Sequence, residues 1–272
     1  MTFAARIAER CARLGHLCVG LDPSYESLGA WGLPHTAKGA EIFSRTMIEL
    51  CADHAAAFKP QSAHFERFGA DGLAALDRVV GAAQEAGCPV ILDAKRGDIG
   101  PTSASYAEAF TRPGATPDAV TLTAYLGFGA LRPLFDRFAR AGIAPIVVVR
   151  SSNPEGARVQ TARLEDGRTV AESLCDDIAA WNARTGEARI GAVIGATLGA
   201  EAGRLAERLC GAPILAPGLG AQGATPQDVA QAFGGAARFV LASASRDIAR
   251  LGRDRLALKE EAMRLQSALR FS

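Results

Sequence analysis

Eight times along its 272 residues the chain passes from a short apolar run, rich in β-branched side chains, to a stretch with the period of a helix. The runs are "LCVGLD" ending at Asp22, "AAAFK" at Lys59, "PVILDAK" at Lys95 and "DAVTLT" at Thr123. "APIVVVRSS" at Ser152, "RIGAVIGAT" at Thr197, "APILAPG" at Gly218 and "ARFVLAS" at Ser243 complete the set. Between them lie segments such as "KGAEIFSRTMIELCADH", "GLAALDRVVGAAQEAG" and "GALRPLFDRFARAG", with Gly87 and Gly142 where a helix would end. Continuously apolar strands alternating with helices imply a parallel sheet whose outer face is covered. Eight such units predict an α/β fold, one (β/α)8 TIM barrel spanning 1–272. A doubly wound open sheet would carry a glycine-rich phosphate turn after the first strand, and "GLDPSYESLG" is not one.

Composition narrows the class further. With 49% apolar and 22% charged residues the chain suits an ordinary globular core. Its 30 basic and 29 acidic residues leave a formal charge of +1, which gives no footprint for nucleic acid or an anionic membrane surface. No apolar run approaches a bilayer span, and the start "MTFAARIAERCARLGHLCVG" reads as an amphipathic helix rather than a targeting peptide. None of the six cysteines falls in a C-x-x-C pair, so reduced thiols and a cytoplasmic setting are expected. The four histidines show no ligand spacing; neither a metal site nor a cofactor is called for.

The third run ends in charge: "ILDAKRGDIG". Alternate strand residues share a face, so Asp93 and Lys95 should project together, with Asp98 just beyond the strand. Active sites of such barrels lie at the C-terminal ends of the strands, where Asp22, Lys59, Asp93 and Lys95 all fall. After the seventh run, "APGLGAQGATPQDV" holds Gln222 among glycines 218, 220 and 223, and Arg246 follows the eighth. Gly-rich backbone paired with an arginine one unit later favours a phosphorylated ligand. The polar segment after the fifth run, at about 152–168, reads either as a mobile lid or as a solvated insertion, with Ser152 at its base placed to meet a ligand.

"DAKRGDIG", "FKPQSAHFE", "PGLGAQGA" and "YLGFGALRP", in this order from "GLDP" to "ASRDI", resemble the orotidine 5′-phosphate decarboxylases, specifically those with K-P-Q after strand two. The resemblance implies cofactor-free, metal-free decarboxylation of orotidine 5′-phosphate to uridine 5′-phosphate by a homodimer with shared sites. It implies Lys95 as proton donor, Asp93 facing the substrate carboxylate, and Asp98 with Thr102 supplied across the interface. Lys59 and Asp22 would contact ribose, Ser152 the pyrimidine, and Gln222 and Arg246 the phosphate. The chain departs from the pattern at Thr123-Ala124-Tyr125, where relatives read N-P-Y or S-P-Y, and at Ser245, which precedes Arg246 in place of glycine. Rival readings are a metal-dependent phosphosugar decarboxylase or aldolase-type barrel, and a barrel that binds a nucleotide without catalysis.

Overall fold

The computed structural model describes residues 1–112, 114, 116–186, 189–220 and 223–271. The strands are β1 (Leu17–Leu21), β2 (Ala57–Pro60), β3 (Ile91–Arg96) and β4 (Ala119–Thr123). β5 (Ala144–Arg150), β6 (Gly191–Ile194), β7 (Ile214–Pro217) and β8 (Val240–Ala244) follow. Among the described residues these eight form one sheet in the order β2-β1-β8-β7-β6-β5-β4-β3, and every ladder is parallel. The seam between β2 and β3 is held by two isolated parallel bridges, Phe58 to Val90 and Gln61 to Asp93. The sheet thereby closes into the expected (β/α)8 barrel. β6 stops earliest relative to its apolar run, because the chain turns at Gly195 into a short 3₁₀ helix, Ala196–Leu198.

Two apolar cores result. Val19, Phe58, Leu92, Val120, Leu122 and Val147 point outward into the layer shared with the helices. Cys18, Ala57, Ile91, Ala119, Ile146, Val193, Leu215 and Leu241 fill the barrel interior, and Phe3, Ile7 and Cys11 of the helix Phe3–Leu14 join them. That spacing of about one turn puts the three on one helical face. The helix thus stops the N-terminal end of the barrel. Polar ties fix it there: Arg6 pairs with Asp118 at 2.6 Å, and Arg10 donates to the carbonyls of Ala55, Ala56 and Gly87 at 2.7–3.0 Å. Asp118 also accepts from the Val90 backbone N–H at 2.8 Å, so the plug is bonded to the starts of β3 and β4.

The opposite end is where the βα connections gather. The expected polar segment after β5 contains a seven-residue helix, Pro154–Gln160, with no buried residue. A tight turn follows, closed by Leu164 N–H to Arg168 O at 2.8 Å and by an Arg163–Thr169 bridge. Pro154 at the helix start and the side chain of Gln160, which caps the backbone N–H of Ser151 at 3.0 Å, give it order that its polarity did not suggest. Among the described residues no helix is long and apolar enough to cross a membrane, and all six cysteines are free thiols, Cys210 exposed and the others buried.

Candidate active site

β3 does not end as a regular strand. Leu92 pairs with Val120, but the next partner of Leu122 is Arg96, so β3 advances four residues while β4 advances two. Lys95 lies inside this bulge with φ +48°, one of two described non-glycine residues in the left-handed region. Asp93 and Lys95 do share a face, but by means of a bulge and a left-handed residue; simple alternation is not the cause. Such a conformation costs on the order of 1–3 kcal/mol and persists where surrounding bonds over-determine it. Gly97 lets the chain leave the bulge: a Cβ there would sit 2.1 Å from the Thr123 carbonyl oxygen.

The bulge delivers the two side chains into a charge array. Asp93 accepts from Lys59 Nζ at 3.0 Å on Oδ2, and from Lys95 Nζ at 2.5 Å on Oδ1. Thr121 Oγ1 donates to the same Oδ1 at 2.9 Å. Lys59 Nζ lies 3.8 Å from Asp22 Oδ1, so carboxylate and ammonium alternate from β1 through β3. Lys59 is sealed, its side chain 7% exposed, whereas that of Lys95 is 48% exposed and open to a ligand.

Burial alone would push the Asp93 carboxyl up, but Lys59 and Lys95 hold it well below the usual carboxylate range. Burial would likewise push Lys59 down, and Asp22 and Asp93 hold it above the ordinary lysine value. The stabilisation from Asp93 is therefore present above about pH 3.9, the unfolded value, and fades as pH falls toward the folded one. That from Lys59 is complete below about pH 10.4 and fades as pH rises through its higher folded value. The expected outcome is a stability difference between the parent and Asp93→Asn that stays flat from about pH 5 to about pH 9, measured by urea unfolding. A step near neutrality would show that the array titrates there.

The array opens into a cavity of about 340 Å³ at the C-terminal mouth of the barrel. Asp22, Lys59, Asp93, Lys95, Ser152 and Arg246 all line it, so six of the residues singled out in the sequence meet in one space. Asp98 and Thr102 do not line the cavity built by the described residues of one chain. The Asp98 carboxylate accepts the Ile99 N–H at 2.8 Å, and Thr102 is exposed on the helix Gly100–Phe110. Gln222 lies outside the described residues. In its glycine loop the N–H groups of Gly220, Gly223 and Ala224 are taken by loop carbonyls at 2.6–3.1 Å, leaving Pro217, Gly218 and Leu219 against the cavity.

Gln61, Ser151, Asn153, Ser243 and Ser245 also line the space, although sequence reasoning assigns none of them a site role. Ser243 and Ser245 had a signal, an i, i+2 pair of hydroxyls at the end of β8. Gly20 permits that end to approach β1, since a Cβ on it would lie 2.6 Å from Ser245 Cβ. Among the described residues no group of three or more His, Cys, Asp or Glu is placed to hold a metal ion.

A barrel whose strand ends converge on a charged cavity at the C-terminal mouth belongs, by architecture, among the barrel enzymes. The chain matches, over residues 15–260, the model of the orotidine 5′-phosphate decarboxylase / HUMPS family, and it belongs to that family. It is 45% identical over 271 residues to an orotidine 5′-phosphate decarboxylase of Streptomyces coelicolor, covering 98% of this chain and 97% of the relative. A crystal structure of a Streptomyces avermitilis protein assigned to the same activity superposes with TM-score 0.92 at 45% identity, covering 99% of this chain and 95% of that one. The Leishmania donovani OMP decarboxylase structure does so with TM-score 0.82 at 33% identity, each chain fully covered.

Proposed function

We propose that this chain is a carboxy-lyase that converts orotidine 5′-phosphate to uridine 5′-phosphate, the closing step of de novo pyrimidine nucleotide synthesis. The observation that carries the reading is the half-exposed Lys95 ammonium, held at 2.5 Å by the buried Asp93 inside the cavity. Breaking the bond to carbon dioxide leaves an electron pair on a ring carbon with no carbonyl or imine beside it to delocalise the charge. The Lys95 ammonium stabilises that developing charge and then gives the carbon its proton. Arginine could not serve, because it scarcely releases a proton.

Asp93, beside the substrate carboxylate, adds a repulsion that falls as carbon dioxide leaves. Two such charges about 4 Å apart interact by about 4 kcal/mol at a surface-like dielectric. Enzymatic accelerations require about 8–23 kcal/mol, so repulsion is the minor contributor and the preorganised ammonium the major one. Lys59 and Asp22 hold the ribose, Ser152 the pyrimidine, and Arg246 with Gln222 the phosphate. Closure of the helix Pro154–Gln160 over the mouth spends phosphate binding energy on the transition state.

Asp98 and Thr102 complete the site of a second copy in a homodimer. Ile99, Tyr125 and Leu126 support this: they are large apolar side chains left 60%, 79% and 55% exposed on the segments that follow β3 and β4. Six free thiols support a reducing, cytoplasmic setting. Loss of the ultraviolet absorbance of orotidine 5′-phosphate on adding purified protein in excess chelator is the expected result. Activity that chelator abolishes would turn the assignment toward a metal-dependent phosphosugar enzyme, and binding without an absorbance change toward a nucleotide-binding barrel.

A further inference from the structure

Thr121 sits mid-strand in β4, has no exposure to solvent, and touches both halves of the bulge. Its hydroxyl donates to Asp93 Oδ1 at 2.9 Å and accepts the Lys95 backbone N–H at 3.0 Å. Where β3 advances four residues against two, the regular β3–β4 ladder is interrupted at these positions. The hydroxyl stands in for the missing ladder bond on the Lys95 amide, and the same oxygen fixes the carboxylate that holds the Lys95 ammonium. A side chain in a barrel-interior position, where Ala119 and Ile91 are apolar, thus has a hydroxyl bonded both as donor and as acceptor.

We infer that Thr121 is a positioning residue: its hydroxyl pins the left-handed backbone of Lys95 and the Asp93 carboxylate together, fixing where the ammonium meets a ligand. The inference rests on the decarboxylase reading for its kinetic consequence, and on geometry alone for its structural one. Without the hydroxyl the Lys95 N–H loses this acceptor and the strained φ loses one of the bonds that impose it. The ammonium then moves relative to the reacting carbon, while the ribose- and phosphate-binding groups stay put.

Thr121→Val removes the hydroxyl at nearly constant volume, and Thr121→Ser keeps it. The expected result for Thr121→Val is a kcat lowered about a hundredfold, as for a displacement of about 1 Å, with KM within about threefold of the parent. Thr121→Ser should recover kcat to within about tenfold. Should the valine methyl against Asp93 prevent folding, Thr121→Ala takes its place, since it removes the same hydroxyl and leaves room for water. A hydroxyl-free variant with parental kcat, or a serine variant as slow as it, overturns the inference. A crystal structure of the hydroxyl-free variant reads Lys95 independently of turnover: a return to negative φ supports the inference, and an unchanged φ near +48° with an unmoved ammonium overturns it. An inactive parent would sink the decarboxylase reading and leave that crystallographic test standing.

Discussion

Lys95→Ala is expected to fold, to bind uridine 5′-phosphate, and to lose turnover by about 10⁴-fold or more. A general acid contributes about 10²–10⁴ and an electrostatic donor about 10²–10³, and Lys95 is assigned both duties. The fold should survive because Asp93 keeps Lys59 at 3.0 Å and Thr121 at 2.9 Å, so its charge is still paired. Alanine also retains the Cβ, and with it the left-handed strain, so the stability change reports the lost ion pair and the lost packing of the lysine stem. That pair is half-exposed, which keeps its worth modest. Steady-state decay of substrate absorbance, with product binding by calorimetry and a thermal melt, checks all three expectations. Turnover within tenfold of the parent would remove Lys95 from the role of acid.

Mixing two dead proteins should restore a live one. Lys95→Ala and Asp98→Ala are each expected to be inactive, because on the shared-site proposal every site lacks either its own lysine or an aspartate contributed by the other subunit. Random exchange makes half of the dimers mixed, and each mixed dimer has one site with both groups intact, so about a quarter of the parental activity should return. The structural ground is that Asp98 and Thr102 stay outside the cavity of one chain while Asp93 and Lys95, a few residues away, line it. Activity measured against time after mixing, with exchange followed by mass-tagged subunits, is the check. No recovery once exchange is complete would mean that Asp98 acts within its own chain or not at all.

The barrel was legible because a buried parallel strand must be apolar on both faces, and the eight β-branched runs match the eight strands to within three residues at their C-terminal ends. The charged strand ends were legible for the complementary reason: Asp93 and Lys59 interrupt apolar runs, where an unpaired charge would be costly. The bulge was not. Nothing in the letters D-A-K-R distinguishes alternation from a left-handed lysine, because the cause lies across the sheet in Thr121, which reads as an ordinary β-branched strand residue. The helix Pro154–Gln160 was hidden by its polarity, since its order comes from Pro154 at its start and from Gln160 folding back on Ser151 and not from a buried face. Asp98 and Thr102 were visible as residues but not as geometry, because the described residues of one chain bring neither to the cavity.

The plug formed by Phe3, Ile7 and Cys11 makes the vessel a cul-de-sac. Gas and nucleotide must leave through the doorway by which the substrate entered, so the order of departure is set at one threshold. The apolar floor also confines the charged side chains of the array to the mouth. In the proposed decarboxylation the proton comes from the wall, where Lys95 stands.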